Sequence, residues 1–295
     1  MRRRRASSGA AWAQRQVAGT AARRRRRGDY ADGLEDRLDA HGRALVAARG
    51  GPWRDADRPP AAVSGTGIVT VDDDVGPGDD VGSSGVHSPP LRLLFVLQRY
   101  GTEVAGGAER HCREFATRLA ARGHRVEVLT SRAVSAEDWA NEYPAGESEL
   151  DGVQVHRLGV EQPRDGDAFE AATVAVLWSG QRVSLDEQAA WRRLQGPTLP
   201  DLVPWLRRRA SGFDVVVHFS YLFATTWEGL GTSAAVSTTV LHATAHDEPA
   251  FWLPVYDDLF GRPTQYAWST EEERDLLLCR GAPARGAVVG VGTDL

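Results

Sequence analysis

The sequence predicts a doubly wound α/β layer, built on a mostly parallel sheet, over residues 91–295. Three observations predict it. Short continuous apolar runs recur down this part of the chain, segments with helical apolar spacing fall between them, and glycine and proline separate the two kinds. Apolar runs without polar alternation suit strands covered on both faces, the habit of parallel sheets.

The first such run is 91–97, followed by a glycine-containing loop through Gly107. Residues 108–122 then place Cys112, Phe115, Ala116, Leu119 and Ala120 at helical spacing, and Gly123 is a natural stop. Strands are expected at 126–130 and 153–158, with a polar loop carrying Trp139 and Tyr143-Pro144 between them. Helices are expected over 168–195 and 199–210, split by Gly196-Pro197. Strands follow at 213–219 and 236–241, and 249–260 reads as helical in spite of Pro254. A short strand at 265–268, a helix over 270–280 opened by the capping pattern Thr270-x-x-Glu273, and a strand at 287–291 complete the set. That makes six or seven buried strands.

Residues 1–90 read differently. They form an Arg-rich head and an acidic Gly/Pro linker, with DDDVGPGDDVGSSG at 72–85, and hold too few apolar residues to offset chain entropy. A disordered N-terminal extension is expected; short helical patches near 34–48 would have nothing to pack against. The first 28 residues carry ten arginines and no acid, whereas 91–295 has a net charge of −8. The folded part therefore shows no nucleic-acid footprint. The head could meet anionic lipid by simple charge attraction, a peripheral membrane contact, or remain a solvated tail.

No run of eighteen apolar residues exists, so no membrane span is expected, and the basic start lacks the apolar stretch of a secretory signal. Cys112 and Cys279 have no CxxC partner and read as core thiols of a reducing compartment, which implies a cytoplasmic location, with the inner membrane face as the variant the head allows. The chain has no lysine, and Met1 is its sole methionine, a bias no fold requires.

Ligands of doubly wound sheets gather at the carboxyl ends of the strands, which brings the loops 98–107, 131–150 and 242–249 to one rim. In the first, Gly106-Gly107 directly precedes a helix, where backbone can approach a ligand and free N–H groups can face a phosphate. The spacing is not GxGxxG, and a tight strand-to-helix turn is an equal alternative. The last loop reads His242-Ala243-Thr244-Ala245-His246-Asp247-Glu248-Pro249. A rim histidine can hydrogen-bond a sugar hydroxyl or take its proton near neutral pH. For His242 a packed strand-end role is the stronger alternative. Adjacent His246, Asp247 and Glu248 converge poorly on one ion, so no metal is expected.

At this point the sequence resembles a known family. LRLLFVLQRYGTEVAGGAERHCREFATRLAARGHRVEVLT is similar to the start of retaining family 4 glycosyltransferases. LDGVQVHRLGV, LQGPTLPDL, FDVVVHFSYLF, TAHDEP and AVVGVGTDL follow in the family's order across 91–295. The resemblance implies a Rossmann-like, mostly parallel sheet that forms the acceptor-side half of a two-domain GT-B fold. It implies that Gly106 and Gly107 lie beside the donor diphosphate and that His246 contacts the donor sugar, with His242 as the fallback. Asp247, Glu248, Glu109, Arg164 and Asp165 are its weaker candidates for substrate contacts. The nucleotide-sugar is a co-substrate; no cofactor is implied. The partners are that donor, a sugar or lipid-linked acceptor, and a separate donor-binding domain.

The family's donor-binding half, with its basic residues and paired glutamates, has no counterpart in this sequence, so a truncated or split enzyme, inactive alone, is expected. Two other readings stay open: a non-catalytic sugar- or nucleotide-binding module, and half of a GT-B sugar-nucleotide epimerase.

Overall fold

A computed structural model describes residues 89–180 and 182–290. The expected disordered head, its acidic linker and the helical patches near 34–48 lie outside them.

The described residues build one eight-stranded sheet. Its strands are β1 (Arg92–Val96), β2 (Arg125–Ser131), β3 (Gly146–Leu150), β4 (Val153–Leu158), β5 (Val215–Phe219), β6 (Thr238–His242), β7 (Gln265–Trp268) and β8 (Gly286–Val288). The order is β3-β4-β2-β1-β5-β6-β7-β8, and every pairing is parallel except β3 with β4. β1 is central because its run Leu94-Phe95-Val96-Leu97 can be buried on both faces, and all four are fully buried.

Residues alternate across the sheet. Phe95, Val128, Val155 and Val217 pack on one face against Cys112 and Ala116 of α1 (Gly107–Ala121). Leu94, Val96, Leu129 and Val216 pack on the other against Leu202 and Leu206 of a crossover helix. The crossover runs through α2 (Gly166–Thr173), α3 (Leu185–Gln195) and α4 (Leu202–Arg209); two short helices, α5 (Ala224–Trp227) and α6 (Leu230–Ala234), precede β6. α7 (Glu271–Cys279) packs Leu277 with Leu241 and Tyr266. Cys112 is buried, Cys279 half-buried, and neither is bridged.

Several local reasons fix the elements. The α1 helix ends at Gly123, whose φ is +91°. Its N–H donates to the Ala120 carbonyl at 2.9 Å and that of His124 to Leu119 at 3.2 Å, the paired closure a left-handed residue allows. Asp151 and Gly152 form a two-residue turn with φ of 53° and 77°, which joins β3 to β4 as a hairpin.

Besides the two short helices before β6, the structure departs from expectation at three places. β3, sequence GESEL, lies inside what read as a polar loop, because a charged edge strand lacks the apolar signature of its buried neighbours. The single helix expected over 168–195 is two. α2 continues as a π turn (Val174–Trp178), Gly180 turns at φ +70°, and α3 starts afresh from a capping box between Ser184 and Glu187. The 249–260 stretch is a pair of 3₁₀ turns, Pro249–Trp252 and Pro254–Tyr256, because each proline starts a turn and Pro254 removes an N–H the helix needs. No helix among the described residues is long and apolar enough to cross a membrane.

Candidate active site

Chain order reverses between β1 and β5: the chain leaves β1 for β2 on one side, and β5 begins the run toward β8 on the other. Loops that follow these strands open outward from this point at the carboxyl edge, the usual place for a ligand. Only β5 stands between β1, which leads to Gly106-Gly107, and β6, which leads to the His246 loop.

Gly106 caps α1 with φ 154°, and no side chain caps that helix. A Cβ at Gly106 would overlap the Glu109 carboxylate, which folds back against it, so glycine is required there. Gly107 differs. A Cβ there would meet nothing within 4 Å, so the glycine leaves the helix N-terminus open on its outer side.

Glu109 is 6% exposed, and its Oε1 is the shared acceptor of this corner. It accepts from Gln98 Nε2 at 2.8 Å and from Arg99 Nε and Nη2 at 3.0 and 2.6 Å. Arg99 spends its other donors on the Val134 and Ala105 carbonyls. Glu109 thus fixes the loop that carries the glycines, with Oε1 taking all three bonds and Oε2 lying against Gly106.

Behind this pair sits Trp139, fully buried with φ 57°. Its indole N–H donates to the Gln195 carbonyl at 2.9 Å, a carbonyl that Arg164 also reaches. The Arg164 guanidinium lies 5.0 Å from the Trp139 ring and 4.4 Å from the Phe169 ring. Burial, and then the charge of Arg99, pulls Arg164 down to about 10. Asp165 is an N-cap, accepting from the Ala168 N–H at 3.0 Å. Arg164 and Asp165 therefore sit at the rim with structural partners already in place.

The loop after β6 is different in kind. Thr244 has φ 49°, and Ser220, at the same level after β5, has φ 65°; neither is glycine, and such strain gathers where a site is held in a set shape. His246 is exposed, and only its carbonyl is engaged, by the Glu248 N–H at 2.8 Å. Asp247 accepts from the Trp252 indole at 2.9 Å, and Glu248 from the Tyr221 hydroxyl at 2.8 Å. Among His242, His246, Asp247 and Glu248, the side chain that faces outward without a hydrogen-bond partner is that of His246.

His242 is buried at the strand end. Its Nδ1–H donates to the Ala267 carbonyl at 2.8 Å, which leaves Nε2 to accept from the Ser269 hydroxyl at 3.3 Å. His111 of α1 stacks on it, ring centroids 4.9 Å apart. Burial, and secondarily His111, pushes the His242 imidazole down to about 4. The sign follows from linkage. The unfolded chain takes up a proton near pH 6.5 that the folded chain refuses until about pH 4. Stability from this group is complete above pH 6.5 and is lost as pH falls toward 4. A loss of about 2 kcal/mol by pH 5 is expected, at about 1.4 kcal/mol per unit. Urea unfolding at pH 7.5 and 5 measures it, and His242→Asn, which keeps a donor for Ala267, should flatten the slope by that amount.

A trough of about 280 Å³ runs down the α1 face below the rim, lined by Phe95, Phe115, Val217, Phe219, Val240 and His242 among others. Its walls offer a polar sugar almost nothing to bind. No group of three or more metal-ligating side chains occurs among the described residues.

Arg99, Tyr221 and His111 escaped the sequence reading, and Trp139 was seen only as a loop residue, because nothing in their spacing marks a role. Glu273 was visible, but only as a helix-capping residue.

The sequence profile of the glycosyl transferase 4-like domain matches residues 106–292. The chain belongs to that family. A crystal structure of α,α-trehalose 6-phosphate synthase from Burkholderia multivorans is similar over 64% of this chain, at 12% identity and a TM-score of 0.39. The chain spans 42% of that protein's length. No curated protein matches the sequence.

Proposed function

We propose that this domain is the acceptor-side half of a retaining glycosyltransferase, which moves a sugar from a nucleoside-diphosphate donor to a hydroxyl acceptor. A facing domain, not included in residues 89–290, holds the nucleotide. The open N-terminus of α1 at Gly106-Gly107 faces the donor diphosphate and steadies the charge it gains as the glycosidic bond breaks, with no metal required for that task. His246 hydrogen-bonds the transferred sugar. Asp247 and Glu248 flank it toward the acceptor, and Arg164 and Asp165 border the acceptor's side of the rim.

The observation that supports this reading best is the pairing of an exposed His246, on a strained and braced loop, with an unobstructed helix N-terminus at the same sheet edge.

Calorimetric titration of the chain with UDP- and GDP-sugars tests the division of labour. Affinities weaker than about 1 mM are expected, since most donor contacts lie on the facing domain; a Kd below about 10 μM would overturn it. In a transferase completed by a donor-binding half, His246→Ala should lower kcat about 100-fold. Unchanged turnover would remove His246 from the chemistry.

A further inference from the structure

We propose that Glu273 is a positioning residue of this site, holding the His246 loop in its working shape through the Ala245 N–H. The inference rests on the transferase reading for its functional meaning and on geometry for the rest.

Glu273 lies in the first turn of α7, after β7, and is 5% exposed. Its own N–H donates to Thr270 Oγ1 at 3.1 Å, as in any capped helix start. The carboxylate does more than a cap needs. Oε2 accepts from the Ser269 N–H at 2.6 Å, while Oε1 crosses to the neighbouring loop and accepts from the Ala245 N–H at 2.8 Å. Ala245 stands between Thr244, the residue with φ 49°, and His246. One carboxylate therefore ties the left-handed turn to the end of the adjacent strand. Ser269, held by the other oxygen, in turn donates its hydroxyl to His242 at the base of the same loop.

The far end of the loop is held separately, by Tyr221 on Glu248. His246 sits between the two anchors with its ring free to meet a ligand. Without Glu273 the Ala245 N–H, next to the left-handed Thr244, loses its partner, and the turn loses its tie to the neighbouring strand end. A residue that merely capped α7 would leave this loop unaffected when replaced.

The test uses the full chain, labelled with ¹⁵N, as wild type, Glu273→Ala and Glu273→Gln. Glutamine can supply one acceptor oxygen but turns an NH₂ toward the other N–H, so it keeps the helix start and loses one tie. Amide exchange at Ala245 should rise at least about tenfold in Glu273→Ala, with His246 ring resonances shifting, while the amides of β1 and α1 keep their protection. If Glu273→Ala fails to fold, Glu273→Gln carries the test, with the same Ala245 and His246 changes at reduced size. Ala245 exchange and His246 shifts equal to wild type in the folded variants would overturn the proposal.

UDP-glucose is then added as a probe. Its perturbation of residues 244–248 should weaken at least about fivefold in Glu273→Gln, matching His246→Ala, while the shifts at Gly106 and Gly107 persist. Equal perturbation in Glu273→Gln and wild type would overturn the positioning role. A wild-type chain left unshifted even by UDP-glucose well above about 1 mM counts against the transferase reading, and Ala245 exchange still decides the role of Glu273.

Discussion

Glu109→Ala is expected to lower the unfolding free energy by about 3–5 kcal/mol, the cost of breaking a buried ion pair by removing one member. Arg99 would keep its bonds to the Val134 and Ala105 carbonyls but would hold an uncompensated charge in a site only 9% exposed. Gln98 would lose its partner too. Arg99→Leu in the same chain removes the orphaned charge, so the double variant should recover part of the loss rather than add to it. Urea unfolding of the two single variants and the double variant gives the answer; a Glu109→Ala penalty under about 1 kcal/mol would show that water reaches this pair. The result bears on the rim because Glu109 backs Gly106, and loosening it frees the approach to α1.

Trp139→Ala should cost a similar amount, about 3–5 kcal/mol, from lost burial and the cavity left behind. Trp139 is among the largest fully buried side chains and touches the Phe223 ring edge-on at 5.7 Å. Its substitution also removes the ring beneath Arg164 and frees the Gln195 carbonyl of one donor. Trp139→Phe keeps most of the volume and loses the hydrogen bond, so about 1–2 kcal/mol is expected. The backbone adds a signature. Because φ is 57°, Trp139→Gly should be no worse than Trp139→Ala, reversing the usual order of these residues. Thermal and urea unfolding of the three variants distinguish a packing residue from a tolerant loop position. A Trp139→Ala change within about 0.5 kcal/mol of wild type would contradict this account.

The sheet was legible because burial on two faces leaves unbroken apolar runs; 153–158 and 265–268 emerge with the bounds the sequence suggests. β3 was not, since Gly146, Glu147, Ser148 and Glu149 look like any solvated loop. Its one local signal was Asp151-Gly152, the pair a two-residue hairpin turn favours. The two short helices before β6 are too brief for a 3.6-residue repeat to show.

Candidate-site residues divide along a physical line. Glycines before a helix and histidines after a strand are visible because their chemistry is unusual where they stand. Residues that matter through partners far along the chain are not. Nothing in the sequence states that Glu273 reaches Ala245, or that Trp139 and Arg164 share the Gln195 carbonyl. Glu109 shows the converse: an acid beside a glycine turn looked free for a substrate, and its buried arginine partner became visible only in three dimensions.

The carboxylates on β3 also govern how copies of this protein behave in concentrated solution. At neutral pH two molecules that approach along that margin bring Glu147 and Glu149 against like charges, which discourages strand-to-strand sticking. Mildly acidic buffers, in which the interior imidazole of His242 favours the unfolded chain, should therefore expose core segments that this guarded margin cannot shield, and colloidal stability should be best at or above neutrality.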